Sequence, residues 1–144
     1  MKYLVVSDIH GSGYYANKIN EILNKEKADK IILASPLYMS GITGLLKTVI
    51  DRFYALYKHN LFKGKTIYLI LTGQGTLEDN EEEIDDIVRW FFGISEWMNF
   101  EFKFLGYFCS GEQNTIDNVK ICEENYDEKI RLLKEKIQTI DNFD

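Results

Sequence analysis

The hydrophobic positions of this chain follow two rhythms. Short runs that are apolar almost throughout, at residues 3–6, 30–34 and 66–71, alternate with stretches in which apolar residues return every three or four positions. The first rhythm is that of strands buried on both faces, the second that of helices with one buried side. After the first strand come Gly11, Ser12 and Gly13, and a helix is expected from about residue 14, with Ile19, Ile22 and Leu23 facing inward. The second strand, residues 30–34, is expected to end at Pro36, the single proline. Leu45, Leu46, Val49, Ile50, Phe53 and Leu56 predict a helix that starts near Thr43 and stops around residues 58–60. The third strand gives way to Thr72, Gly73, Gln74 and Gly75. Asn80, with Glu83 three residues on, predicts a capping box opening a helix whose inner stripe is Ile84, Ile87, Val88, Phe91 and Phe92. Residues 100–108 alternate enough for a fourth strand. Val119, Cys122, Tyr126, Ile130, Leu133 and Ile137 mark a C-terminal amphipathic helix that begins either near Ile116 or after Asn125. Strands alternating with helices predict an α/β domain on a parallel sheet, a single domain over residues 1–144.

Composition narrows the function classes. With 144 residues, 45% of them hydrophobic and 28% charged, the chain has the makeup of one globular domain. Seventeen Lys and Arg against 23 Asp and Glu leave a net charge of −6 with no basic stripe, which argues against binding nucleic acid. No apolar run approaches the roughly 20 residues that span a bilayer, and the first residues lack a signal-peptide layout. The expectation is a cytoplasmic protein with no membrane partner. Cys109 and Cys122 lie 13 positions apart without a ligand motif, so neither a zinc site nor a disulfide framework is predicted.

Open parallel sheets bind ligands beyond the carboxyl ends of their strands. Three strand ends here are rich in glycine and hydroxyl groups. They are residues 7–13, with Ser12 and Gly13; residues 35–41, with Pro36, Leu37, Tyr38, Met39, Ser40 and Gly41; and residues 72–76, with Thr72, Gly73, Gln74 and Gly75. Such loops let backbone N–H groups approach an anion or a flat ring. Any one of them reads more simply as a tight βα turn, but three on one sheet edge predict a ligand cleft.

Two of these loops carry a family resemblance. Residues Ala34, Ser35, Pro36, Leu37, Tyr38, Met39, Ser40 and Gly41, then Leu46 and Lys47, then Ile50, Asp51, Arg52, Phe53 and Tyr54, resemble the NAD(P)H-dependent FMN reductases of the flavodoxin-like superfamily. The likeness continues through Phe62, Lys63, Gly64 and Lys65, the 72–75 loop, and Phe104, Leu105, Gly106 and Tyr107, about residues 28–140 in all. It implies that the 36–41 and 72–76 loops wrap the flavin ring and ribityl chain, with Tyr38 stacked on or edge-on to the ring. Ser12 and Gly13 would lie at the FMN phosphate. FMN would carry electrons from NAD(P)H to a quinone, a free flavin or another small acceptor. The protein would supply binding and electrostatics, without a catalytic acid or base.

Residues 1–33 carry a second resemblance. Val5, Val6, Ser7, Asp8, Ile9, His10 and Gly11, with Ala28 to Leu33 after the helix, look like the start of the small calcineurin-like metallophosphodiesterases. In that family an Asp-x-His pair, here Asp8 and His10, ligates a two-metal centre. Ala34 and Ser35 replace that family's Gly-Asp pair, and the only other histidine is His59, so no metal site is predicted. The chain thus reads like two family segments joined near residues 30–35, whether as a natural fusion, an engineered chimera or an unusual family member. Beside the reductase reading stand a non-catalytic flavodoxin-like scaffold or chimera with weak or no flavin binding, and a residual phosphodiesterase fragment.

The join has consequences for the fold. Flavodoxin-like sheets run 2-1-3-4-5, but a single helix separates the first two strands here. The expectation is a shortened flavodoxin-like three-layer domain with a four-stranded parallel sheet ordered 1-2-3-4. Right-handed crossovers would then put the first three helices on one face. Only the C-terminal helix would remain for the other, predicting an exposed apolar sheet face and a homodimer or higher oligomer. Asp8 near Ser12 and Gly13 would repel a phosphate, predicting weakened FMN affinity.

Overall fold

The computed structural model describes residues 3–7, 21–22, 28–56, 60–109 and 126–140. Within these, β1 (Tyr3–Ser7), β2 (Lys30–Tyr38), β4 (Thr66–Gly73) and β5 (Glu101–Cys109) form a parallel sheet in the order β1-β2-β4-β5. A two-residue strand, β3 (Gly41–Ile42), turns back antiparallel on β2, pairing Leu37 with Ile42 and Tyr38 with Gly41. Helices α1 (Gly44–Leu56), α2 (Glu81–Met98) and α3 (Tyr126–Thr139) complete the described structure. The order of the four parallel strands is the one expected from the sequence. The helix expected from residue 14 falls mostly outside the described residues; Glu21 and Ile22 are helical. For the C-terminal helix, the described part begins just after Asn125.

Strands β2 and β4 are apolar almost throughout because both faces of the sheet are covered. Ile31 and Leu33 of β2 and Ile67, Leu69 and Leu71 of β4 face one layer. There they meet Leu46, Val49, Ile50 and Phe53 of α1 and Ile84, Ile87, Phe91 and Met98 of α2. Phe62, from the turn between α1 and β4, fills the floor of this core; its ring lies 4.4 Å from Phe53 and 6.0 Å from Phe100. Phe91 stacks on Phe102 at 5.1 Å. The opposite face carries Ile32, Tyr68, Ile70 and Leu105, packed with Leu133 and Ile140 from the C-terminal helix and the residue that follows it.

Four expectations need correction. The second apolar face is not exposed: Ile32, Tyr68, Ile70 and Leu105 are all buried. Pro36 does not end its strand, which continues to Tyr38. A proline is tolerated in a strand where its missing N–H faces no partner, and among the described residues β1 pairs with β2 as far as Ala34. Phe92 leaves the inner stripe and is half exposed, its ring meeting that of Phe102 edge-on. Asn80 occupies the N-cap position of α2 but makes no side-chain cap. The capping box is present four residues earlier, where the Thr76 hydroxyl accepts the Asp79 N–H at 3.1 Å and the Asp79 carboxylate accepts the Thr76 N–H at 2.9 Å. It opens the short 3-10 turn Glu78–Asn80 that leads into α2.

Candidate functional site

Two of the three strand-end loops are described, and they are neighbours because β2 and β4 pair up to Pro36 and Thr72. The first is the hairpin joining β2 to β3. Met39 and Ser40 at its tip both have positive φ, 48° and 60°, which is the backbone of a type I′ turn, usually made by Asn-Gly. Tyr38 is 64% exposed and Met39 is fully exposed. The hairpin's base is locked: buried Ser35 donates to the Pro36 carbonyl at 2.9 Å and accepts the Thr43 N–H at 3.1 Å. Thr43 in turn caps α1, its hydroxyl accepting the Leu46 N–H at 3.2 Å. At the tip, the Ser40 hydroxyl donates to the Glu83 carboxylate of α2 at 3.3 Å. A pair of large, exposed side chains therefore stands on a rigid base.

The second loop runs from Gly73 to Asn80. Its shape is set by side chains from three places. Asn80 donates through Nδ2 to the carbonyls of Gln74 (3.1 Å) and Thr76 (2.9 Å). Tyr107 of β5 donates to the carbonyl of Gln74 or Gly75, at 3.0 and 3.2 Å, and accepts from Asn80 at 3.3 Å. The Thr76–Asp79 box closes the far end. Tyr107 approaches so closely that a Cβ on Gly73 would lie 2.7 Å from its hydroxyl and 3.3 Å from Leu37 Cβ, so no larger residue fits there without displacement. The β-bulge opposite Leu69 and Ile70 places Tyr107 here. Phe102 and Phe104 face the α1–α2 layer, Leu105 the other, and Tyr107 returns to the first layer because one extra residue shifts the alternation. Gly106 takes φ 146° in this step, a conformation L side chains avoid.

The electrostatics of the loop follow from these bonds. The Thr76 N–H, and after it the Thr76 hydroxyl, hold the Asp79 carboxyl below its usual range. Burial raises the Tyr107 phenol above its usual value, helped by Cys109 and Asp79, so it remains a protonated donor near neutral pH. The first turn of α2 carries Glu81, Glu82 and Glu83, an acidic rim that complements the helix dipole.

Of the residues singled out from the sequence, Pro36, Leu37, Tyr38, Met39, Ser40 and Gly41 thus form the hairpin, and Thr72, Gly73, Gln74 and Gly75 the facing loop. Ser12 and Gly13 lie outside the described residues, as do Asp8, His10, His59 and Cys122. Among the described residues no group of three or more His, Cys, Asp or Glu could hold a metal ion. Asp51 ion-pairs with Lys47 on the outside of α1, and Cys109 is half-buried at the end of β5. The sequence pattern assigned Asn80 and Glu83 only to a helix cap and Tyr107 only to the family likeness, and it did not single out Asp79. The Thr-x-x-Asp spacing of residues 76–79 and the broken alternation at Gly106 were the available signals. A groove of about 350 Å³ also lies between the outer flanks of α1 and α2, lined by Lys47, Tyr54, Trp90, Ile94 and Trp97. None of its lining comes from the strand-end loops.

The two described loops suit a planar heteroaromatic ligand. Tyr38 offers an exposed ring, and the N–H groups of Gln74 and Gly75 meet no acceptor among the described residues. Residues 2–94 match the family described as NADPH-dependent FMN reductase, a stretch that runs unbroken across residues 30–35. No curated protein matches. Among solved structures, an NADPH-quinone reductase from P. pentosaceus is 16% identical with a TM-score of 0.63, covering 96% of this chain and 97% of that one. The Trp repressor binding protein of Bacillus subtilis is 24% identical with a TM-score of 0.57, over 83% of this chain and 70% of its own. General stress protein 14 of Treponema denticola, in complex with FMN, is 12% identical with a TM-score of 0.57, over 94% and 99%. These likenesses establish the flavodoxin-like fold.

Proposed function

Because this chain belongs to the NADPH-dependent FMN reductase family, we propose that it takes electrons from a reduced nicotinamide dinucleotide through FMN held between the 36–41 hairpin and the 72–76 loop, and passes them to a small acceptor such as a quinone or a free flavin. FMN supplies the hydride-accepting and electron-donating chemistry. The chain's own part is to bind, orient and polarise. Tyr38 provides an exposed aromatic surface beside the ring. The Gln74 and Gly75 N–H groups provide donors for ring carbonyl or nitrogen acceptors. The buried Ser35 lock and the Tyr107–Asn80 bonds keep both loops in place, so little ordering remains to be done on binding. The segment with Asp8, Ser12 and Gly13 is read here as the first βα unit of the same domain, because the family match begins at residue 2.

The observation that carries this reading is the pairing of an exposed tyrosine hairpin with loop N–H donors that meet no acceptor among the described residues, at the carboxyl ends of adjacent parallel strands, within a chain of this family. The test is an absorption spectrum of the purified protein, followed by titration with FMN while melting temperature is recorded. A ligand at 100 times its Kd adds about 2.7 kcal/mol of stability. Flavin bands in the purified protein, or a clear rise in melting temperature with FMN, support the proposal. Absence of both at millimolar FMN removes it. NADPH oxidation with quinones and with free flavins then separates the acceptors.

A further inference from the structure

Tyr107 reaches the 73–80 loop from β5 and, with Asn80, holds it in shape. Its hydroxyl has one proton and two carbonyls to give it to, Gln74 O at 3.0 Å and Gly75 O at 3.2 Å, and it accepts from Asn80 Nδ2 at 3.3 Å. The two N–H bonds of Asn80 Nδ2 are shared among three acceptors, the Tyr107 hydroxyl, Gln74 O at 3.1 Å and Thr76 O at 2.9 Å. The carbonyl of Gln74 is therefore held from two directions. In a planar trans peptide the carbonyl and the following N–H point opposite ways. Fixing Gln74 O toward Tyr107 fixes the Gly75 N–H away from it. Among the described residues that N–H meets no acceptor, whereas the next one, Thr76 N–H, is taken by Asp79. Two costly features serve this arrangement: a bulge with Gly106 at φ 146°, which returns Tyr107 to this layer, and a glycine at position 73, which leaves room for the hydroxyl.

We propose that Tyr107, together with Asn80, is a positioning residue for the cofactor: it aims the Gly75 N–H at the flavin and so favours the reduced form of bound FMN over the oxidised form. This rests on the reading that FMN occupies the cleft. Reduction raises electron density on the ring's carbonyl and nitrogen acceptors, and a hydrogen bond to a more negative acceptor is stronger. A fixed N–H donor therefore contributes more to the reduced state, and loss of its aim lowers the midpoint potential.

The test compares wild type with Tyr107→Phe, which removes one oxygen and keeps the ring. Three quantities are measured: FMN affinity by fluorescence titration, the midpoint potential of the bound flavin, and the melting temperature of the apoprotein. The expected result is a Kd for oxidised FMN raised about threefold and for reduced FMN about tenfold. That threefold difference equals a shift of ~14 mV to more negative potential for a two-electron couple. Apoprotein melting should change little, since the hydroxyl is not in the core. Asn80→Ala, which leaves the phenol in place, should shift the potential in the same direction and carries the test if Tyr107→Phe does not fold. An unchanged potential with FMN bound overturns the proposal. So does a lowered melting temperature with unchanged potential, since that marks a merely structural tyrosine. If wild type binds no FMN, the functional reading itself fails, an outcome distinct from either of these.

Discussion

At the scale of single residues, the hairpin tip is where local energetics and function conflict. A non-glycine residue in the left-handed region is disfavoured by about 1–2 kcal/mol, and Met39 and Ser40 sit there side by side. Ser40→Gly should relieve roughly 1 kcal/mol of this and raise the melting temperature by about 3 °C, with little offset from the exposed bond to Glu83. A fall in melting temperature would show that the Glu83 contact outweighs the backbone term. Tyr38 presents the reverse case. Being 64% exposed, it contributes little to folding, so Tyr38→Ala should leave thermal stability within about 1 °C of wild type. FMN affinity should drop about three- to tenfold, the range of one aromatic contact. Equal affinity for the two proteins would remove Tyr38 from the site. Strain that persists at an exposed tip without a folding benefit is what a binding loop shows.

At the scale of elements, the start of α2 shows how a correct signal can be assigned to the wrong residues. Asn80 followed by Glu83 has the spacing of a capping box, but the amide of Asn80 is committed to Gln74, Thr76 and Tyr107. The box belongs to Thr76 and Asp79. Spacing alone could not choose between the two candidates, because the choice depends on β5 delivering a tyrosine from 27 residues away in sequence. The strands and helices themselves were legible, since their apolar periods are set by burial. The 36–41 and 72–75 loops were legible as a pair through their glycines and hydroxyls. The bulge at Leu105 and the bonds of Tyr107 were not, because both arise from contacts between distant segments. The box makes a pH prediction. Asp79 has its carboxyl pKa depressed in the folded state, so its contribution is present above the unfolded value of about 3.9. It is lost as pH falls through the lower folded value. Asp79→Asn should therefore melt below wild type at pH 5 to 7, and the gap should close on acidification below about pH 4. A gap independent of pH would assign the effect to shape rather than charge.

At the scale of the whole molecule, the two faces of the sheet are unequally covered. Helices α1 and α2 share a large continuous core with the sheet, whereas the other face is packed among the described residues by Leu133 and Ile140 against Ile32, Tyr68, Ile70 and Leu105. Right-handed crossovers put α1 and α2 on one face, as expected. The other face is not open, because Leu133 and Ile140 cover its buried residues, and the expectation of self-association through that face loses its ground. What docks α3 is partly polar. Lys30, buried at the start of β2, donates through Nζ to the Ile140 carbonyl at 2.7 Å, across 110 residues of sequence. A cation at a helix C-terminus satisfies one of its last carbonyls and interacts favourably with its dipole. Among the described residues α3 shares a smaller cluster with the sheet than α1 and α2 do, which predicts that it opens as a unit before the sheet does. In native-state hydrogen exchange, amides of α3 should open at lower free energy than those of β4. Lys30→Met, which keeps the buried stem, should lower the α3 value further by about 1.5–3 kcal/mol, the worth of a hydrogen bond to a charged group. The β4 amides should move less. If α3 and β4 instead exchange at one common free energy and fall together in the variant, the C-terminal helix is an inseparable part of the global core rather than a separate cover that Lys30 helps to dock.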